Sequence, residues 1–411
     1  MEEELLYWLW LSLCHGVTKP NRLKLIRSFG TARRVYEADL GALREEVPSL
    51  SQKELELLGE KDLEPGKVLL DQCRQKRITV THFGSKDYPP RLMDIADAPM
   101  VLYYRGKIPD LYKAPSIGIV GARNATTHGR ELAAQFGRHL ASSGVIVISG
   151  MAMGIDAVAM KAALSVGTPV IGVLGCGVNR VYPSENRKLY EKAMECGCII
   201  SEYLPDSPPA RTHFPARNRI LSGLSNGILV VEAAEKSGSL ITADFARRQG
   251  RLLFSVPGNA GEAGCAGTNQ LLRSGAIFAE NAMDILWELQ ERYPQVYQKG
   301  LSVTPHSPAV DPAPPVREPP KKARERTEKT IDIPVNPDYI DFNTLLQTAD
   351  PIERDIFAAL QDAPLETDEL MARVGYPNAR VLSALTLLQM NRRIVPEGNG
   401  YRLSPDILIK K

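Results

Sequence analysis

Apolar positions recur every three to four residues through the first 75 residues. They fall at Leu5, Leu6, Leu9 and Leu13, then at Leu23, Ile26 and Phe29, then at Leu50, Leu55, Leu57 and Leu58. That period places one apolar face on each of several short helices. From residue 76 to 290 the pattern changes to short aliphatic runs separated by helix-length amphipathic segments, which predicts a parallel sheet with helical crossovers. Strands are expected at 116–120, 145–149, 170–174, 198–201, 227–231, 252–256 and 276–279. Helices are expected at 127–143, 155–166, 184–196, 216–223, 239–249, 268–274 and 281–290. Residues 302–338 hold nine prolines and little that could be buried, so 291–345 reads as a linker. Beyond it, 351–360, 367–374 and 378–392 read as three helices, followed by a hairpin over 394–403, with caps at Asp350, Thr367 and Asn378. Within 346–411 this is the pattern of a winged helix. The fold class is thus α/β, a parallel sheet with helical crossovers preceded by a small helical domain and followed by a winged helix.

Composition narrows the class. The 411 residues are 44% hydrophobic, ample for a large core, and 50 Lys plus Arg against 48 Asp plus Glu leave a net charge of +2. Any polyanion would have to meet a local basic patch, since the protein as a whole is not coated in positive charge. Six cysteines without a CxxC pair point away from structural zinc or a disulfide framework and toward a reducing cytoplasm. The apolar stretch from Leu5 to Cys14 follows Glu2, Glu3 and Glu4, so it reads as a buried helix and not an export signal. No apolar run approaches the roughly 20 residues of a membrane span.

The candidate chemistry gathers where strands end in glycine. Ser116–Asn124 (SIGIVGARN), Val145–Asp156 (VIVISGMAMGID), Val170–Gly177 (VIGVLGCG) and Gly227–Glu232 (GILVVE) each run from an aliphatic strand into a turn, and the last leads to Ser237-Gly238-Ser239. Glycine at a strand end lets backbone amides converge on an anion. Gly121-Ala122-Arg123-Asn124 is not GxGxxG, and no acidic residue ends the second strand, which argues against a dinucleotide enzyme. Arg123 places a planar donor at this turn, suited to holding a phosphate. Arg217, Asn218 and Arg219, in Phe214-Pro215-Ala216-Arg217-Asn218-Arg219, add two guanidinium groups at a helix start. Lys236-Ser237-Gly238-Ser239 opens the next helix as an anion-binding N-terminus. Scattered histidines and the absence of GxSxG, HExxH or a Walker lysine give no hydrolytic constellation. Asp156, Glu202 and Glu232 stand at strand ends, where carboxylates commonly anchor loops. Tyr182, Phe214 and Phe245 lie close in sequence to the proposed grips and could face bases, although packing is the expected role of each. The turns 13–18 and 47–51 faintly echo a helix-hairpin-helix but lack its second glycine, so ordinary turns are expected. Residues 350–411 carry eight basic and nine acidic side chains, and their third helix is mostly aliphatic (Val381, Leu382, Leu385, Leu387, Leu388). That favours a protein contact over duplex readout.

In order along the chain, Tyr88-Pro89-Pro90 with Leu92, Gly121-Ala122-Arg123, Ser149 to Asp156, Tyr182-Pro183 with Asn186, Ser201-Glu202, Phe214 to Arg219, Lys236 to Ser239, and Val256-Pro257-Gly258 followed by Gly267-Thr268-Asn269 resemble the DNA-processing protein A family (DprA or Smf). The resemblance implies an extended Rossmann-like fold for the central domain, and a non-enzymatic single-stranded DNA-binding protein that forms homodimers and hands the strand to the RecA recombinase in natural transformation, with no cofactor. It places DNA contacts at Gly121, Ala122, Arg123, Asn124, Ser149, Gly150, Arg217, Asn218, Arg219, Lys236, Ser237, Gly238 and Ser239. Ala122 stands where the family has Ser or Thr, which removes one hydroxyl from the grip. Four phosphate contacts, by Arg123, Arg217, Arg219 and Lys236, would give a logarithmic salt slope near −3, at about −0.7 per phosphate on a single strand. The rival readings are a Rossmann-like nucleotide phosphoribohydrolase, with Glu232 and Asp156 as acid and base, and an interaction scaffold with a vestigial pocket.

Overall fold

The computed structural model describes residues 2–303, 340–341, 346, 349–361, 363–390, 393–397, 400–404 and 407–408. The chain divides into two compact units, Met1–Pro314 and Pro315–Lys411. Most of the proline-rich linker lies outside the described residues.

The first unit opens with six helices, α1 (Glu2–Leu13), α2 (Lys19–Phe29), α3 (Ala32–Glu37), α4 (Leu40–Glu46), α5 (Gln52–Gly59) and α6 (Glu64–Gln75). Their caps follow from sequence. Thr31, Asp39 and Ser51 each accept an amide of the first turn, and Ser51 with Glu54 forms a reciprocal capping box. Glu54 also accepts from the Thr18 amide at 2.9 Å and from Asn21 Nδ2 at 3.0 Å. The amides of Thr18 and Ser51, which a helix-hairpin-helix would offer to a phosphate, are therefore spent on one carboxylate.

The sheet has nine strands: β1 (Thr79–His82), β2 (Val101–Gly106), β3 (Ser116–Val120), β4 (Ile146–Ser149), β5 (Val170–Val173), β6 (Cys198–Ser201), β7 (Gly227–Val230), β8 (Leu252–Ser255) and β9 (Ile277–Phe278), in the order β1-β2-β6-β5-β4-β3-β7-β8-β9. All seven strands expected from the aliphatic runs are present, and β6 through β9 in that order are parallel. β1 and β2, which the pattern did not single out, add an antiparallel edge. The crossovers of the parallel strands are α8 (Thr127–Ser142), α9 (Ile155–Ser165), α10 (Arg187–Cys196), α11 (His213–Leu224), α12 (Ser239–Arg248) and α13 (Ala266–Arg273), with α7 (Pro90–Met93) between β1 and β2 and α14 (Ala282–Leu289) after β9. Helical order then continues into the range expected as linker. α15 (Pro294–Leu301) buries Val296, and the Gly300 carbonyl lies 3.3 Å from His139 Nε2 on α8. One hydrophobic cluster runs from Tyr7 in α1 through every strand of the parallel sheet to Val296, so the N-terminal helices and the sheet share a core.

In the second unit α16 (Pro351–Ala359), α17 (Thr367–Val374) and α18 (Asn378–Met390) stand with β11 (Leu365–Glu366), β12 (Ile394–Glu397) and β13 (Gly400–Leu403), after a two-residue β10 (Ile340–Asp341). β13 pairs antiparallel with both β11 and β12, the winged-helix arrangement. Val381, Leu385 and Leu388 on α18 are core residues, while Leu382 is exposed.

Candidate nucleic-acid interface

β3 has β4 on one side and β7 on the other, so chain order reverses at β3. The loops leaving β3 and β7 separate, and ligands of such sheets lie in the crevice this opens beyond the strand ends. A cleft of about 660 Å³ is found there, lined from the β3 loop by Gly121 and Arg123, from the start of α12 by Ser237, Gly238, Ser239 and Thr242, and from α11 by Phe214, Arg217, Asn218 and Leu221. The α11 residues are spaced by three, one and three, which is one face of a helix. Arg211, Tyr182 and Asp156 complete the rim and floor. Three arginines against one carboxylate make the cleft electropositive.

The loops hold this shape through close backbone approaches. Gly154 has φ +76°, and a Cβ there would stand 2.2 Å from the Ala122 carbonyl oxygen and 2.4 Å from that of Arg123, so the turn after β4 can press against the turn after β3 only as glycine. The Ala122 amide donates to the Glu232 carbonyl at 2.8 Å. Arg123 is exposed, and its guanidinium lies 5.7 Å from the centre of the Phe214 ring. Phe214 in turn lies 5.4 Å from Tyr182, which is 43% exposed. Tyr182 and Phe214 thus form an aromatic shelf on the cleft, and the half-buried Phe214 also packs as expected from sequence, its ring 2.8 Å from where a Cβ at Gly175 would stand. Phe245 is not among the cleft residues.

The predicted grips separate into those that face the cleft with free chemistry and those that do not. Arg123 is exposed and lines the cleft, while Asn124 beside it and Lys236 immediately before Ser237 are exposed but are not among the lining residues. The Ser237 and Ser239 hydroxyls lie 2.7 Å apart and bond to one another. Arg217 lines the cleft but is only 5% exposed. It donates to the carbonyls of Gly150, at 2.9 Å, and Val173, and its Nε donates to Asn218 Oδ1 at 3.1 Å. It therefore braces the turn after β4 more than it offers donors to a ligand. Burial lowers its pKa and raises that of Asp156, the nearby carboxyl, while the two charges pull each other back toward the ionised forms.

Three of the predicted contact residues are instead engaged within the protein. Ser149 is fully buried, and its hydroxyl donates to the Ile119 carbonyl at 2.7 Å, tying β4 to β3. Arg219 is 2% exposed and faces away from the cleft: its Nη atoms make two bonds to Glu202, at 3.0 and 2.7 Å, and its Nε pairs with Asp97 at 2.7 Å. Gly150 is likewise occupied on both sides, its amide by Asp156 at 3.0 Å and its carbonyl by Arg217. The three strand-end carboxylates hold structure. Glu232 accepts the Thr126 amide at 3.1 Å and the Thr126 hydroxyl at 2.6 Å, anchoring the start of α8. Glu202 is nearly buried, which alone would raise its pKa, but Arg219 and Lys19 hold it below the usual carboxylate range. Arg211 escaped the sequence reading because nothing local marks it; the fold brings it to the cleft from the loop before α11.

Residues 79–290 match the family described as DNA recombination-mediator protein A, and residues 342–400 match the DprA winged helix domain. The chain is 40% identical over 224 residues to DNA processing protein DprA of Bacillus subtilis, covering 54% of this chain and 75% of that protein. It is 37% identical over 284 residues to Protein Smf of Synechocystis, covering 67% of this chain and 71% of that one. The X-ray structure of DprA from Streptococcus pneumoniae superposes with a TM-score of 0.61 at 31% identity, over 69% of this chain and 97% of that one. Among the described residues no helix is long and apolar enough to cross a membrane. With one family model matched over residues 79–290, its winged helix domain over 342–400, and relatives 37–40% identical over more than two thirds of their length, the chain belongs to the DNA recombination-mediator protein A (DprA/Smf) family.

Proposed function

We propose that the protein binds single-stranded DNA in the cleft beyond β3 and β7 and, as a homodimer, delivers the strand to a RecA-type recombinase during natural transformation. The observation that carries the binding step is the pairing of exposed cations with an aromatic shelf: Arg123 over Phe214, Phe214 beside Tyr182, with Arg211 on the rim and Lys236 next to the start of α12. Cations meet phosphates, and flat rings accept any base, which is the economy of sequence-tolerant single-strand binding. The helix N-terminus at Gly238–Ser239 adds partial positive charge to the same opening.

A binding role without turnover is supported by the state of the strand-end carboxylates. Glu232 and Asp156, the acid and base a phosphoribohydrolase would require, are taken up by Thr126 and by the Gly150 amide. Counting Arg123, Arg211 and Lys236 as phosphate contacts gives a logarithmic salt slope of about −2 on single strands. Fluorescence anisotropy with single- and double-stranded oligonucleotides over a salt series tests the reading. Tighter binding of the single strand with that slope supports it; a preference for duplex would move the site to the winged helix.

A further inference from the structure

Arg219 stands two residues from Arg217 on α11, about 200° around the helix, and so on the side opposite the cleft. Its guanidinium is 2% exposed and fully occupied, by Glu202 at 3.0 and 2.7 Å and by Asp97 at 2.7 Å. Glu202 immediately follows β6, and its Oε2 also accepts Lys19 of α2 at 2.9 Å. On this same back side a Cβ at Gly223 would meet Leu92 and Ile95 within 3.0 Å, so α11 lies tightly on the segment that leads to Asp97. A buried, bidentate arginine fixes both the roll and the height of the helix that carries it, because the fork has one orientation on its carboxylate. Phe214, Arg217, Asn218 and Leu221 are carried on the opposite face of the same helix.

We propose that Asp97, Glu202 and Lys19 are positioning residues for DNA binding: through Arg219 they set the roll of α11 and thereby the placement of the Phe214 and Arg217 wall against Arg123. The inference rests on the single-strand reading of the cleft, and it gives the N-terminal helical segment, through Lys19, a part in shaping a site it does not line.

The salt dependence of binding separates positioning from contact. A residue that neutralises a phosphate lowers both affinity and slope when removed, whereas one that only places the wall lowers affinity and leaves the number of released counterions unchanged. Full-length wild type, Asp97→Asn, Lys19→Ala, Glu202→Gln and Arg123→Ala are titrated against oligothymidylate by anisotropy across a salt series, with thermal unfolding measured in parallel. Asp97→Asn and Lys19→Ala remove half-exposed partners and keep the fold testable should Glu202→Gln leave Arg219 buried and uncompensated. The expected result is an affinity loss of about three- to tenfold for Asp97→Asn, less for Lys19→Ala, with the wild-type slope, while Arg123→Ala loses slope as well. Folded Asp97→Asn and Lys19→Ala proteins that bind within about twofold of wild type, or that lose slope as Arg123→Ala does, would overturn the proposal and leave the cleft reading intact. Absence of single-strand binding by the wild type would remove the cleft reading and the positioning role together.

Discussion

Arg217 and Arg219 show what a sequence can and cannot disclose about a single side chain. Both were expected to hold phosphate, yet residues two apart on a helix point to opposite faces, and once α11 spans His213–Leu224 only Arg217 shares a face with Phe214 and Leu221. Arg123 was legible because a strand end and a glycine turn fix where it must emerge. Arg211 was not, since its place depends on a loop without regular pattern. Glu54 illustrates a structural residue whose importance is electrostatic. Burial would raise its pKa, but the amides of Thr18 and Ser51, the Asn21 side chain and the Ser51 hydroxyl bring it down to about 2. A carboxyl depressed below its unfolded value of about 4.3 stabilises the fold above that pH and loses the contribution as pH falls toward 2. Glu54→Gln should therefore destabilise the first unit by ~2 kcal/mol at neutral pH, and the gap from wild type should narrow in thermal unfolding near pH 3. A gap independent of pH would show that charge is not what Glu54 supplies.

At the scale of elements, the aliphatic runs identified every strand of the parallel sheet. Six of them, β3 to β8, were found because they are almost wholly buried and read as continuous hydrophobic stretches, whereas the short edge strand β9 leaves Phe278 exposed. β1 and β2 escaped for the complementary reason: Thr79–His82 reads TVTH, and Val101–Gly106 ends in the half-exposed Tyr104 and Arg105 and the exposed Gly106, positions that carry no such run. α15 was hidden by its neighbouring prolines and glycine. The helices on the sheet pack closely enough to be tested individually. On α8, a Cβ at Gly137 would stand 2.4 Å from the Ala159 carbonyl oxygen of α9, a contact with backbone that no rotamer change relieves. Gly137→Ala should cost about 2 kcal/mol or more in chemical denaturation, with an unchanged denaturant slope if the native fold is retained. A neutral substitution would mean that the α8–α9 approach is looser than described.

For the whole molecule, the architecture followed from the alternation of strand and helix signals, and the winged helix from three short helices and a hairpin. The continuity of the core from α1 to α15 was less legible, because amphipathic periodicity gives each helix an apolar face without naming what covers it. That continuity, and the placement of every cleft residue within the first unit, predict that a chain ending at residue 303 folds and binds single-stranded oligonucleotide with the affinity of the full-length protein. A loss above about tenfold would assign part of the site to residues beyond 303.

Single-strand binding in the cleft depends most directly on Arg123 meeting phosphate at the β3 turn, and the salt dependence of oligothymidylate binding by Arg123→Ala measures this. Affinity should fall, and the logarithmic slope should become shallower by about 0.7 relative to wild type. Unchanged affinity and slope in a folded Arg123→Ala protein would contradict it.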